Sequence, residues 1–187
     1  MSLSGGKYGI VVAGADCVFD DVEKARELLG SLGLLYSVIV INDMIADYPR
    51  SYDFAATLHP DKLNMWLNRR DANGLERPKI IWSHRMHNAL VTHATNDWGG
   101  SSALFATKIM LECGVQRIIV CGAPMTTSNH YYRKTQWNSA VGFRRGWIGH
   151  KNQLLPFVRS MSGWTRELLG APDSDWLIQL PDSSPAR

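Results

Sequence analysis

The chain has 187 residues, of which 45% are hydrophobic and 20% are charged, a composition typical of one globular domain with a full-sized core. The net charge of +3 does not indicate a nucleic-acid-binding protein, and no apolar run approaches membrane-span length. Because residues 1–6 lack the features of a signal peptide, we expect one domain at 7–180 with flexible ends at 1–6 and 181–187. Three cysteines without metal-type spacing favour reduced thiols and a cytoplasmic protein.

Strands and helices are predicted to alternate along the chain. Buried strands are expected at 8–13, 36–41, 54–58, 79–82 and 118–121, separated by helices through 29, from 63 to 73 and from 102 to 113. Apolar spacing between Leu154 and Leu169 predicts a last helix. Strands that are apolar on both faces imply an α/β fold, a single-domain Rossmann-like three-layer sandwich with a mostly parallel sheet.

Polar or small residues follow the predicted strands where each strand ends. Ligands of parallel sheets bind beyond these carboxyl ends, near the point where strand order reverses. The candidate binding residues at these ends are Gly14, Ala15, Asp16, Asn42, Asp43, His59 and Gly122. We expect one cleft lined by Gly14, Asn42, His59, Gly100, Ser101 and Gly122. Asp43 is positioned either to hold a ribose or to cap the next turn.

Two glycines and two serines, residues 99–102, open the helix predicted from 102. The first N–H groups of a helix have no intrahelical partner and lie at the positive end of the helix dipole. Gly100, Ser101 and Ser102 therefore suit an anion. The alternative is a small-residue helix start that packs tightly on the sheet.

Residues 125–151 form a long connection without clear periodicity, rich in aromatic and basic residues that include Tyr131, Tyr132 and Arg133. A connection of this length is typically functional or disordered, and its aromatic content argues against disorder. We interpret it as a lid whose cations neutralise phosphate and whose aromatics exclude water. A homo-oligomer contact through the same segment is the alternative, and the two are not exclusive.

Three histidines, His84, His87 and His93, have a spacing that superficially suggests a metal site. Neither a cysteine nor a clear carboxylate completes a ligand set. We therefore predict no metal ligands in this chain.

Short motifs in a fixed order resemble the bacterial sialyltransferases of glycosyltransferase family 42. They are Gly14-Ala15-Asp16, residues 38–43, His59-Pro60, residues 99–102, residues 118–122 and residues 147–150. The first half is also similar to the 6-hydroxymethylpterin pyrophosphokinase-like proteins. These resemblances imply a Rossmann-like nucleotide-binding fold.

The sialyltransferase resemblance implies roles for individual residues. Gly14 and Asn42 would face a nucleotide, residues 100–102 would contact its base or sugar, and Tyr131 or Tyr132 would donate hydrogen bonds to phosphate. His150 matches the general base of the family and would remove a proton from an acceptor hydroxyl, while Tyr131, Tyr132 and Arg133 stabilise the departing phosphate.

The expected function is therefore that of a glycosyltransferase-like transferase that binds a nucleotide or a CMP- or UDP-type nucleotide sugar, with no required metal and no nucleic-acid partner. One alternative is pyrophosphokinase-like diphosphate transfer, with Mg²⁺ held by carboxylates such as Asp16, Asp43 or Asp61. Another is a non-catalytic nucleotide-sensing module, which would keep Gly14, Asn42 and Ser101 but tolerate loss of His150.

Overall fold

The computed structural model describes residues 6–136 and 138–181, so most of both expected flexible ends lies outside the described residues. The strands are β1 (Tyr8–Val12), β2 (Tyr36–Ile41), β3 (Phe54–Thr57), β4 (Ile81–Ser83), β5 (His93–Ala94), β6 (Arg117–Cys121), β7 (Asn129–His130), β8 (Arg133–Gln136) and β9 (Val158–Ser160). The α-helices are α1 (Val18–Ser31), α2 (Met44–Asp47), α3 (Leu63–Ala72), α4 (Ser102–Glu112), α5 (Arg144–Gly149), α6 (Lys151–Leu154), α7 (Gly163–Leu169) and α8 (Ser174–Ile178). Turns of 3₁₀ helix span Pro60–Lys62 and Asn138–Phe143.

The main sheet has seven strands in the order β5-β4-β3-β2-β1-β6-β9. Every neighbouring pair in it is parallel. The chain runs outward from β1 through β2, β3, β4 and β5, then returns to place β6 on the other side of β1. Strand order therefore reverses between β1 and β6, which opens a crevice beyond their carboxyl ends. The predicted α/β fold with a mostly parallel sheet is confirmed.

Alternation along the strands sorts the core into two halves. Val11 and Ala13 point into the half that contains α4. Ile10 and Val12 point into the half that contains α1, α2 and α3. Because successive side chains of a strand face opposite sides, a strand that is apolar throughout requires helices on both faces. The result is the expected three-layer sandwich.

Helix α4 is buried along nearly its whole length and packs on the central strands. Ser101 caps it, since its Oγ accepts a hydrogen bond from the Leu104 backbone N–H at 3.4 Å. Gly114 follows the helix with a φ of 86°, a conformation that glycine adopts readily and that commonly ends a helix. The predicted helix start and stop are both confirmed.

Two edge strands replace or extend the predicted elements. The expected last helix is wrong in its middle, because Val158–Ser160 forms β9 beside β6 between α6 and α7. Pairing with β6 gives this short segment backbone hydrogen bonds that no local pattern encodes. Strand β5 is only His93–Ala94, too short for alternation to show. Among the described residues, no helix is long and apolar enough to cross a membrane.

Candidate functional site

A cleft of about 470 Å³ lies beyond the carboxyl ends of β1, β2, β3 and β6, at the reversal of strand order. Of the predicted binding residues, it is lined by Gly14, Ala15, Asn42, Asp43, His59, Gly100, Ser101, Ser102 and Gly122. Of the predicted catalytic residues, Tyr132 and Arg133 line it, whereas Tyr131 and His150 do not. Asp16 also lies outside the lining. The six residues expected to share one cleft are all present in it, and their roles stay predictions.

A chain of hydrogen bonds fixes the floor of the cleft. Asn42 Nδ2 donates to Ser102 Oγ at 3.2 Å, and Thr57 Oγ1 donates to Asn42 Oδ1 at 2.9 Å. The His59 backbone N–H donates to Thr57 Oγ1 at 2.9 Å. These bonds tie the ends of β2 and β3 to the start of α4. The floor is therefore preorganised, with its polar side chains held in place before any ligand binds.

Backbone strain is concentrated at this cleft. Among the described residues, Asn42 and Met125 are the non-glycine residues with positive φ, 52° and 48°, and both line it. Left-handed backbone costs most side-chain-bearing residues about 1–2 kcal/mol but is readily adopted by asparagine, so the strain lies mainly at Met125. Because strained residues cluster at functional sites, Met125 supports a binding role for the cleft.

The amino terminus of α4 forms one wall. Ser102 and Ala103, in the first turn of the helix, line the cleft, and the Leu104 N–H already donates to Ser101 Oγ. Gly100 is held by its own N–H, which donates to Asp97 Oδ2 at 2.6 Å. First-turn N–H groups and the helix dipole together favour an anion at this wall.

Asp43 and Asp47 bind the tyrosines of the predicted lid. Asp43 Oδ1 accepts from Trp66 Nε1 at 3.0 Å, and Asp43 Oδ2 accepts from Tyr132 Oη at 3.1 Å. Tyr131 Oη donates to Asp47, which also pairs with Arg69. From the sequence we expected Asp43 to hold a ribose or to cap the next turn, but in the structure its carboxylate already accepts hydrogen bonds from two side chains.

The same contacts change the interpretation of Tyr131. Burial, and then its hydrogen bond to Asp47, raise the pKa of the Tyr131 hydroxyl. That hydroxyl is turned away from the cleft lining, so the geometry does not support its predicted role as a phosphate donor. Burial and Asp43 also raise the pKa of Tyr132, which keeps its hydroxyl protonated as a donor at the edge of the cleft.

Sequence reasoning missed several cleft residues. Lys62 lines the cleft from the 3₁₀ turn after β3, and Arg133 lines it from β8. The position of Lys62 three residues after His59, at the end of a predicted strand, could have identified it as a cleft residue. Asn129, His130, Ser139 and Phe143 also line it, and all four belong to the predicted lid. The two cations leave the cleft suited to a negatively charged ligand.

The predicted lid at 125–151 contains short elements rather than one irregular loop. Strands β7 and β8 form a hairpin that joins the loop after β1, since the Asp16 N–H donates to the Asn129 carbonyl at 2.9 Å. Further along, Phe143 and Gly146 pack close to residues 99 and 100. The segment thus contacts both the β1 loop and the α4 wall. Trp137 lies outside the described residues.

His150 follows α5 directly and contacts the loop before α4. Its ring stacks on Trp98, with centroids 4.4 Å apart and planes 10° apart. Its Nδ1 is 2.9 Å from the Gly146 carbonyl oxygen, which fixes the tautomer with hydrogen on Nδ1 and leaves Nε2 as an acceptor. The imidazole is therefore oriented by its partners, although it does not line the cleft.

Asp21 is a buried carboxylate that holds the turn after β6 next to the cleft. It was not singled out from the sequence. Its Oδ2 accepts from the Gly122 N–H at 2.9 Å and from Ser162 Oγ at 2.7 Å. Ser162 in turn lies 3.2 Å from Cys17 Sγ, and burial raises the pKa of that thiol to about 12. The cluster holds the turn after β6 and keeps the thiol protonated and unreactive.

A second cavity of about 570 Å³ lies at the opposite edge of the sheet, where β3 and β4 begin. Its arginines are already bound within the protein: Arg70 Nη1 donates to the Ile45 and Tyr48 carbonyls, and Arg77 pairs with Asp71 at 2.6 Å. Among its lining residues only a glycine has a positive φ, and none belongs to the amino terminus of a helix, so the cleft at the carboxyl edge is the candidate site. Across the described residues, no group of three or more His, Cys, Asp or Glu side chains is arranged to hold a metal ion.

No protein-family model and no curated protein matches the sequence. Among solved structures, the chain resembles the sialyltransferase CST-II in complex with a trisaccharide acceptor and CMP. The two are 10% identical with a TM-score of 0.59, over 89% of this chain and 87% of that one. It also resembles CstII from Campylobacter jejuni in complex with cytidine-5'-monophosphate, at 10% identity and a TM-score of 0.57 over 92% and 88% of the two chains. At this identity the likeness shows a shared fold.

Proposed function

We propose that the chain is a nucleotide-binding transferase of the glycosyltransferase type, which takes a CMP- or UDP-type nucleotide sugar in the cleft at the carboxyl edge of the sheet. The observation that carries the proposal is the coincidence, in one cleft, of the α4 amino terminus, the left-handed backbone at Asn42 and Met125, and the two cations Lys62 and Arg133. The similarity of the fold to CMP-bound sialyltransferases supports the choice of nucleotide.

Phosphate recognition follows from the charges of the cleft. The first turn of α4 supplies backbone donors, while Lys62 and Arg133 neutralise charge. Tyr132 lines the cleft, but its one hydroxyl hydrogen is donated to Asp43 rather than to phosphate. The aromatic wall of Phe143 and Tyr132 excludes water from the reacting bond. These groups stabilise a departing nucleotide phosphate without a metal ion.

Lys62 and Arg133 provide the first test. Lys62→Ala and Arg133→Ala are each expected to weaken CMP binding about tenfold, because each removes a charge-assisted contact to phosphate. Cytidine binding, which involves no phosphate, is expected to change little. Isothermal titration calorimetry measures both, with Lys24→Ala on the exposed face of α1 as the matched control. Equal affinity of all variants for CMP would place the phosphate elsewhere.

Independence from metal provides the second test. In the presence of EDTA, the affinity for CMP or UMP is expected to stay within about twofold of the affinity in Mg²⁺, because protein donors take the place of the metal ion. The pyrophosphokinase-like alternative needs Mg²⁺ on carboxylates, but Asp43 is bonded to Trp66 and Tyr132 and Asp16 lies outside the cleft lining. Strict Mg²⁺ dependence in the same titration would favour that alternative.

The general base is the catalytic part of the proposal. We assign it to His150, whose fixed tautomer leaves Nε2 as a proton acceptor. The stack on Trp98 links it to the loop that carries Gly99 and Gly100 to the cleft. A nucleotide-sensing module without catalysis would need the cleft but not His150.

The proposal also covers the cellular location of the protein and its oligomeric state. We expect a cytoplasmic protein, since its cysteines are free thiols and burial raises the pKa of all three. A homo-oligomer contact through residues 125–151 is the other proposed use of that segment. Light scattering coupled to size-exclusion chromatography decides between monomer and oligomer.

A further inference from the structure

Positive charge is concentrated in one stretch of the sequence. Residues 113–166 contain no aspartate or glutamate, while the rest of the chain carries all 17. The basic residues of the stretch are Arg117, Arg133, Lys134, Arg144, Arg145, Lys151, Arg159 and Arg166. A small net charge for the whole chain therefore conceals a strongly basic segment. The stretch includes the whole lid.

Some of these cations have partners inside the fold. Arg117 and Arg159 lie over the ring of Trp176, with centroid distances of 4.8 and 5.0 Å, and Arg144 lies 4.8 Å from the ring centre of Trp164. By contrast, Arg145 is exposed, and among the described residues neither it nor the half-buried Lys151 forms a side-chain hydrogen bond or an ion pair. Their charges face solvent without compensation.

Exposed apolar side chains accompany these charges. Val141 is 47% exposed and Ile148 is 57% exposed, although Ala140 and Trp147, the residues just before them, are fully buried. Arg145 and Ile148 lie three residues apart in α5 and therefore share one face of that helix. Val141 lies in the 3₁₀ turn just before α5, and Lys151 is the first residue of α6 just after it. We call Val141, Arg145, Ile148 and Lys151 the α5 face.

We propose that the α5 face docks on an anionic lipid bilayer. Apolar side chains that enter the boundary between headgroups and acyl chains, flanked by unpaired cations, are the surface that binds such a membrane. Phe143 and Ser139 of the 3₁₀ turn before α5 line the cleft, so docking holds the cleft beside the lipid surface.

Charge favours a membrane over a second copy of the chain. A symmetric contact through the α5 face would bring Arg145 and Lys151 against their own copies, and residues 113–166 supply no acid to neutralise them. A soluble polyanion would neutralise the cations but leave Val141 and Ile148 in water. An anionic bilayer satisfies both the charges and the apolar side chains.

Vesicle co-sedimentation tests the proposal on the full chain. We expect binding to phosphatidylcholine vesicles that contain phosphatidylglycerol, weak binding to phosphatidylcholine alone, and loss of binding as salt is raised. Arg145→Ala and Lys151→Ala should each lower the partition coefficient about fivefold. Ile148→Asp should lower it further, because it puts an acid against the anionic surface. Lys24→Ala on α1 and Leu35→Asp, where Leu35 is 80% exposed, are the matched controls.

Each contrary result has a defined meaning. No binding to anionic vesicles overturns the proposal, and so does an equal loss in Lys24→Ala or Leu35→Asp. Binding to polyglutamate that matches vesicle binding and ignores Ile148→Asp would assign the face to an acidic protein instead. CMP titrations of the same variants, whose substitutions lie outside the cleft, separate this proposal from the proposed function. Vesicle binding by a chain that binds neither CMP nor UMP would leave the α5 face supported and the transferase refuted.

Discussion

Replacing Gly122 by alanine is expected to lower the free energy of unfolding by about 2–5 kcal/mol, the sum of a left-handed backbone and an overpacked core. Gly122 has a φ of 67°, and a Cβ there would lie 2.5 Å from the Ala13 carbonyl oxygen and 2.7 Å from Val18 Cβ. Backbone and a β-branched side chain cannot move aside easily. The turn after β6 would have to shift away from β1, at the crevice where the nucleotide is proposed to bind.

Urea denaturation followed by circular dichroism measures this loss. Gly30→Ala is the matched control, because Gly30 lies in α1 with no atom within 4 Å of the added Cβ. That substitution should stabilise the protein by about 0.5–1 kcal/mol. We also expect weaker CMP binding in Gly122→Ala, since Asp21 anchors the Gly122 N–H. Unchanged stability of Gly122→Ala would show that the turn is not tightly packed.

The location of the candidate site could be predicted because parallel strands carry local signals. Each strand is an apolar run that stops at a small or polar residue, and all such stops lie at one edge of the sheet. Gly14, Asn42 and Gly122 could therefore be placed together before their distances were known. Ser101 and Gly114 likewise marked the ends of α4, because capping depends on near neighbours in the chain.

Partners that lie far apart in the chain left no such signal. Asp43 and Tyr132 are separated by 89 residues, and Asp47 and Tyr131 by 84. From the sequence we expected Asp43 and the two tyrosines to contact a ligand and did not single out Asp47, whereas in the structure these acids and tyrosines bond to each other. No periodicity encodes such a pairing, since it depends on how the hairpin of β7 and β8 packs over α2.

Short edge elements were missed for a different reason. Val158–Ser160 has apolar neighbours at helical spacing, but β6 offers an unpaired edge that the segment completes. Three residues are too few for alternation to compete with the surrounding helical pattern. Tertiary pairing therefore decided the structure of a segment whose local pattern favoured a helix.

His150→Ala is expected to lower kcat by about a hundredfold or more while leaving the affinity for CMP nearly unchanged. A general base acts on the acceptor or on water, so its loss weakens the transition state rather than ground-state nucleotide binding. His59→Ala is the comparison variant, because His59 is the histidine that lines the cleft after the end of β3. His59→Ala should raise KM for the nucleotide sugar and largely keep kcat. Nucleotide release from CMP- and UDP-sugars measures both variants.

Folding must be separated from chemistry at His150, because its ring stacks on Trp98 and precedes α6. His150→Asn keeps a side-chain N–H for the Gly146 carbonyl but offers no imidazole nitrogen to accept a proton. If His150 is the base, the asparagine variant folds, binds CMP and is as inactive as the alanine variant. Activity restored by asparagine would instead show that His150 only positions the lid. A loss of kcat confined to His59→Ala would transfer the base to the imidazole at the end of β3, within the same cleft.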